Sequence, residues 1–357
     1  MKVAIIGGGY SGLSCAWELE KYGIIPDVFE RDPSVDETYP HVTAVLNITH
    51  RTVKDAFCFF ADKYKLELEP LKTLNEIVHT SPHNVRTLKG NFGYLVANYR
   101  GEKTIKMQLY NKLKASNVIF NVTADYKELE KAYDYVVIAT GDYKIAKELG
   151  CWQLWTNSYV KGAYIEGSFK PHKMYMWINQ DFSKHGYAYM TPFDEYRASI
   201  INIVSDVNES EVDSYWDIFY PYADNNYNIL EEFKLNHQAG YVYPLQVTNK
   251  IFVGNSAGGI DPYLGFGLFN SVVTGISAAR TIAKGVDYEA QIKDIIKRNL
   301  YMRQFRKTFN VLSQKDYDKI LTFIGVPGIK QLLYDSNFNV EKAGSGIARL
   351  LRKKIQK

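Results

Sequence analysis

"MKVAIIGGGYSG", residues 1–12, sets three consecutive glycines directly after a short apolar run. Lys2 to Ile6 reads as a buried strand. Gly7, Gly9 and Gly12 then fall in G-x-G-x-x-G spacing. "LSCAWELEKYG", residues 13–23, follows in helical order and closes at Gly23, and "IPDVFE", residues 25–30, reads as a second strand ending at Glu30. Strand, glycine turn, helix, strand and acid each have a physical task. Gly7 lets the chain turn sharply. Gly9 has no Cβ, so a pyrophosphate can rest against the main chain. Gly12 lets the helix pack close to the strand. The free N–H groups where the helix opens, at Tyr10 and Ser11, lie at the positive end of its dipole and suit a phosphate. Glu30 is placed to accept hydrogen bonds from ribose hydroxyls. The plainer alternative, a strand–turn–helix with a glycine-rich turn, leaves the position of Glu30 unexplained.

A chain of 357 residues is large enough for a substantial core in one large or two intertwined domains. Cys15, Cys58 and Cys151 are far apart and form no C-x-x-C, which argues against a disulfide framework and against a zinc or iron–sulfur site. A reducing, cytoplasmic setting is expected, and a strand that starts at residue 2 leaves no room for a signal peptide. Residues 262–279, "PYLGFGLFNSVVTGISAA", carry no charge. They hold three glycines together with Asn270, Ser271, Thr274 and Ser277, so a buried helix of a globular fold is expected rather than a membrane span. Charge is uneven: residues 291–357 balance at +10 and the whole chain at +4. That tail reads as helices with solvated basic faces. The sharper alternative is a surface for anionic lipid heads, giving peripheral membrane contact, or for an acidic redox protein. No basic–aromatic nucleic-acid module is present, so nucleic acid is excluded as a partner.

Further along, "HVTAVLNITHRTVKDAFCFFADKYKL" (41–66) reads as a loop and then a helix. "LNEIVHTSPHNVRTL" (74–88) reads as two strands about a turn at Ser81–Asn84, and "GYLVANYR" (93–100) as another strand ending at Arg100. "YDYVVIATGDY" (133–143) gives a central parallel strand that breaks at Thr140–Gly141, where ligands of open parallel sheets sit. From about Trp155 to Val204, successive alternating runs predict an antiparallel sheet inserted as a second domain. "SEVDSYWDIFYPYADN" (210–225) and "YNILEEFKLN" (227–236) read as helices. "KIFVGNSAGGIDPYLGFGLFNSVVTGISAA" (250–279) starts as strand, breaks at Gly254 and resumes as helix after Gly265 and Gly267, a second place where glycines meet a helix N-terminus. The expected fold class is therefore α/β: a Rossmann-like nucleotide domain (1–75, 94–150 and 245–290), an inserted β-sheet substrate domain (76–93 and 151–244) and a helical tail (291–357).

Three of these segments, in this order, resemble a known class. Gly7-x-Gly9-x-x-Gly12 with Ala16, Leu19, Gly23 and Glu30 looks like the FAD-binding start of the glutathione-reductase-like flavoproteins. "ATG" at 139–141 resembles the second signature of that class and "VGNSAGGIDPYLGFG" (253–267) the third. Within the class the sequence is most similar to the geranylgeranyl reductase family, whose Y-x-W-x-F-P stretch is matched here by Tyr175 and Trp177 without the Phe and Pro. The resemblance spans roughly residues 1–330 and implies FAD as cofactor. It places Gly7, Gly9 and Gly12 at the pyrophosphate and Glu30 at the adenosine ribose. Arg31 and Arg100 lie near the cofactor, and Gly254, Asn255, Gly265, Phe266 and Gly267 line the ribityl and isoalloxazine end. Thr43 and Ala44, in the loop read there, approach the ring. Asn255 stands where the family has an Asp that reaches a ribityl hydroxyl. The cysteine that some members carry before the first long helix is missing from His41 to Leu46.

The chemistry implied is hydride or electron transfer by the flavin, with Tyr175 and Trp177 walling the substrate space or simply packing between sheet and helix. His41, His172 and His185 are candidate proton donors or surface residues. One functional reading is a reductase that saturates carbon–carbon double bonds of an isoprenoid or other apolar substrate. The alternatives are a flavin monooxygenase or electron-transfer flavoprotein acting on an aromatic or quinone substrate, and a flavin-binding protein without turnover. No second G-x-G-x-x-G is present for NAD(P), so NAD(P)H must bind transiently or a protein must donate the electrons.

Overall fold

The computed structural model describes residues 1–36, 39–50, 53–99, 101, 103–223, 227–324 and 344. In chain order its strands begin with β1 (Val3–Ile6), β2 (Asp27–Phe29), β3 (His41–Leu46), β4 (Lys72–Ser81), β5 (Asn84–Asn98), β6 (Asn117–Ile119) and β7 (Tyr135–Ile138). They continue with β8 (Trp152–Glu166), β9 (Lys173–Trp177), β10 (Tyr187–Pro192), β11 (Arg197–Ser205), β12 (Asn228–Val242), β13 (Gln246–Val247) and β14 (Lys250–Phe252). The helices are α1 (Tyr10–Glu20), α2 (Ala56–Phe59), α3 (Ile105–Asn111), α4 (Tyr126–Ala132), α5 (Lys144–Glu148), α6 (Gln180–Ser183), α7 (Val212–Ala223), α8 (Leu268–Lys284), α9 (Tyr288–Phe309) and α10 (Gln314–Ile324).

The chain divides into two units. The first comprises Met1–Asp36, Ile105–Trp155 and Gln238–Arg303. The second comprises Glu37–Thr104, Thr156–His237 and Gln304–Lys357.

Unit 1 is built on a six-stranded sheet in the order β13-β14-β7-β1-β2-β6, parallel except for β13. Its central strands are buried on both faces, which is why β1 and β7 read as unbroken apolar runs rather than alternating ones. Ile5 lies opposite Val28 on one side and Val137 on the other. Ile5, Leu13, Val137, Phe252 and Val272 are all fully buried. Removing each from water stabilises the unit by about 1.5–3 kcal/mol as an upper estimate. The uncharged segment becomes α8, whose residues are mostly buried and which stops at Gly285 with φ +67°. Helix α1 packs along it, and a Cβ on Gly275 would overlap the Ser11 carbonyl oxygen.

Unit 2 carries an eight-stranded sheet in the order β12-β8-β11-β10-β9-β4-β5-β3. The β4–β5 hairpin turns where the sequence predicts it. The sheet is mixed rather than antiparallel: β4 runs parallel to β9, with Ile77 opposite Met174. Those two strands come from separate segments of the chain, so no hairpin joins them. The sheet also curls. Thr191 Oγ1 donates to the Val42 carbonyl at 2.7 Å and Ser199 Oγ accepts from the Val42 N–H at 3.0 Å, tying edge strand β3 across β10 and β11. One face is covered by α7, with Trp216 and Phe219 among Trp177, Phe182, Ala188 and Met190.

Three expectations are corrected here. Residues 41–46 form strand β3, not a loop, and "YNILEEFKLN" lies in strand β12, not a helix. Residues 37–75 and 94–104, expected in the nucleotide domain, belong to unit 2, because β3 and β5 pair with each other inside its sheet. The tail forms α9 and α10 as far as Ile324. Beyond Ile324 only residue 344 is among the described residues.

Candidate functional site

The site grows from the β1–α1 turn. Gly7 has φ +112°, a conformation L side chains rarely adopt, and its Cβ position is filled by the Ala139 carbonyl at the end of β7. A Cβ at Gly12 would overlap the Gly7 carbonyl oxygen. These two glycines therefore serve close packing. Gly9 differs: a Cβ there would meet nothing within 4 Å. The protein leaves that position open, at the N-terminus of α1, where no side chain caps the helix. Tyr10 and Ser11 open the helix beside it. Open space at a helix N-terminus that no side chain caps is the cradle a pyrophosphate needs.

Glu30 closes one side of the turn. Its carboxylate accepts from the Gly8 N–H at 2.6 Å and from the Asp32 N–H at 2.9 Å. Gly8 is thereby explained: a Cβ there would stand 3.0 Å from Glu30 Oε2. Each carboxylate oxygen keeps a further lone pair for a ribose hydroxyl. Arg31 is largely exposed, 3.8 Å from Asp32.

The second and third segments meet the first. Thr140 Oγ1 lies 3.0 Å from Ser256 Oγ, and the Gly141 N–H donates to the same Ser256 hydroxyl at 3.2 Å. Gly254, with φ +60°, sits where a Cβ would be 2.6 Å from Ser11 Oγ. Its N–H donates to Thr274 Oγ1 at 2.9 Å, which anchors the loop to α8. The Asp261 carboxylate accepts from the N–H groups of Tyr263 and Leu264, and the Asp261 N–H donates to the Phe266 carbonyl. These bonds fold Gly265, Phe266 and Gly267 into the turn that starts α8. Asn255 carries the sharpest observation. Its Oδ1 is buried and has no hydrogen-bond partner among the described residues, and a Cβ on Gly267 would come within 2.8 Å of it. A buried amide oxygen without a donor is costly, on the order of 1–3 kcal/mol. A ribityl hydroxyl donating to that oxygen would relieve the cost. Open Gly9 and orphaned Asn255 Oδ1 both fit a dinucleotide flavin lying through unit 1.

Other expected site residues belong to unit 2 or lie outside the described residues. Thr43 and Ala44 are on β3 of unit 2, and Ala44 is buried in a cluster with Leu74, Ile77 and Met174. That side chain faces a core. Arg100 lies outside the described residues. Tyr175 and Trp177 stack on each other at 6.0 Å, and Trp177 meets Phe219 edge-on at 5.6 Å under α7. They pack between sheet and helix, the plainer of the two readings. His41 is held by the Tyr39 carbonyl and by Asn98, and His172 Nδ1 lies against Thr73. Burial lowers the pKa of His185. Sequence reasoning misses Ser256 and Thr274. Their signal is a hydroxyl inside a small-residue motif, and a polar row at 270, 274 and 277 on an otherwise apolar helix.

The mostly parallel sheet of unit 1 and the mixed sheet of unit 2 make an α/β fold of the FAD-binding, Rossmann-like kind. Residues 2–117 match the family model described as FAD dependent oxidoreductase, which supports FAD as cofactor. The chain is similar in fold to a geranylgeranyl bacteriochlorophyll reductase-like protein from Thermoplasma acidophilum. The TM-score is 0.74 at 14% identity, over 97% of this chain and 98% of that one. It is also similar to the flavin-dependent halogenase CmlS, with a TM-score of 0.66 at 15% identity over 98% of this chain and 76% of that one. A flavoprotein/dehydrogenase from Cytophaga hutchinsonii matches with a TM-score of 0.65 at 12% identity, over 100% of this chain and 99% of that one.

Proposed function

We propose that this protein is an FAD-dependent reductase that saturates a carbon–carbon double bond of an isoprenoid or other apolar substrate, with NAD(P)H or a protein supplying the electrons. The observation that carries the flavin part is Asn255 Oδ1, buried and unpartnered among the described residues where three separated segments meet. When bound, FAD supplies hydride transfer; the protein's own groups hold and tune it. The α1 N-terminus and the open face of Gly9 take the pyrophosphate, and Glu30 takes the adenosine ribose. Asn255 accepts from the ribityl chain. The N-terminus of α8, uncapped by any side chain, favours negative charge where it develops on the reduced ring.

The apolar substrate is supported by unit 2. On the face of its sheet away from α7, Met176, Tyr189, Ile203 and Leu235 are only half-buried beside an apolar core. Burial raises the pKa of the Tyr189 phenol further above its ordinary value. The test is anaerobic: reduced, FAD-loaded protein is mixed with a polyprenyl substrate and the product weighed. A product heavier by two hydrogens per double bond is expected. In a parallel aerobic reaction, oxygen consumption with a hydroxylated product would instead select the monooxygenase reading, and no product under either condition with any reduced donor would leave only a flavin-binding role.

A further inference from the structure

We propose that unit 1 contains a second, internal ligand site behind the 258–260 loop, which holds one small neutral hydroxyl donor: a water molecule, or a short alcohol in its place. The site is a cavity of ≈20 Å³ walled by Trp155, Val242, Leu245, Ile292 and Ile295. A water needs on the order of 10–15 Å³ by this measure, so one water fits and an aromatic ring does not.

An apolar cavity alone would stay dry. This one is lined by Asn299, which is 4% exposed. Asn299 Nδ2 donates to the Gly258 carbonyl at 3.0 Å and to the Ile260 carbonyl at 3.4 Å. Two carbonyl partners fix that end of the amide as the nitrogen. The other end, Oδ1, is buried and has no partner among the described residues. It can only accept, so the occupant must donate, and a neutral hydroxyl does so without bringing a charge into apolar surroundings.

The cavity also touches the residues that hold the cofactor loop. Thr274, on its wall, accepts from the Gly254 N–H. Asn270 Nδ2 donates to the Gly259 carbonyl at 2.7 Å and its Oδ1 accepts from Arg298. Buried amides from α8 and α9 thus grip three successive carbonyls, and the bound hydroxyl completes the set by satisfying Asn299. The site itself is independent of the flavin reading; its effect on cofactor retention rests on that reading.

A high-resolution crystal structure of the apoprotein tests it. Expected is one density peak about 2.7–3.2 Å from Asn299 Oδ1, unchanged by xenon pressure. A peak that lengthens by one or two carbons after soaking in methanol or ethanol would identify the alcohol as an alternative occupant of the same site. An empty cavity, or one that takes up xenon, would overturn the proposal. As a second measurement, Asn299→Leu should lose the peak and release FAD about tenfold faster. Release at the wild-type rate would remove the link to the loop while leaving the flavin reading intact, because Gly9→Val tests that reading separately.

Discussion

The three glycines of the opening turn do different work, and single substitutions should separate them. Gly9 has β-region dihedrals, and the space into which a side chain would project is empty. Gly9→Val is therefore expected to fold, with stability changed by no more than about 1 kcal/mol, while losing the flavin absorbance. Thermal unfolding and a visible spectrum of the same sample check both halves. Gly12→Ala should do the reverse first: its Cβ meets the Gly7 carbonyl, and overpacking of that kind costs about 1–3 kcal/mol. Asn255→Asp places a charge-bearing acceptor at the orphaned oxygen and is expected to tighten FAD retention, measured as the dissociation rate; an unchanged or faster rate would mean that Asn255 does not reach the ribityl chain. These residues were legible because each is a departure from an ordinary turn. Gly8 and Ser256 were not, since their partners, Glu30 and Thr140, are distant in sequence and ordinary in type.

Single elements show where pattern reading succeeds and where it stops. Strands β1 and β7 and helix α8 declared themselves through unbroken apolar runs ended by glycine. Strand β12 did not: Glu231, Glu232 and Lys234 near its exposed start mimic a helix face, and only its pairing makes it a strand. Strand β3 was hidden because its partner, β5, lies some fifty residues away. Helix α1 ends in Glu20, whose carboxylate accepts from the N–H groups of Lys114, Ala115 and Ser116 and from the Ser116 hydroxyl. Burial pushes its pKa up, but these bonds outweigh it and the net shift is downward. A carboxylate with a lowered folded pKa adds stability that is present above the unfolded value and lost as pH falls through the folded one. Glu20→Gln should cost about 1 kcal/mol near neutral pH after solvent screening. Its stability should also fall less steeply than the wild type's on acidification, as denaturant titrations at several pH values would show.

For the molecule as a whole, the histidine buried in β4 gives a second pH signature. His79 is held neutral by burial, which lowers its pKa to about 4, and its Nε2 has no partner among the described residues. The unfolded chain binds its proton near pH 6.5, so stability is complete above that value and drains away as pH falls toward 4. The contribution is roughly 3 kcal/mol across that window. His79→Leu should flatten the slope between those limits; an unchanged slope would show that His79 is not the group responsible. The two units differ in their limits from the expected domains, because a domain built from separated segments gives no compositional break at its borders. No described helix is long and apolar enough to cross a membrane.

The central claim is that unit 1 clasps a flavin with an adenosine half along the β1–α1 turn and a ribityl chain at Asn255. Titration of apoprotein with FAD and, in parallel, FMN, followed by flavin fluorescence, tests it most directly. One FAD per chain should bind, and FMN, which lacks the half held by Gly9 and Glu30, should not compete at the same concentration. Equal binding of FMN, or no binding of FAD, would contradict it.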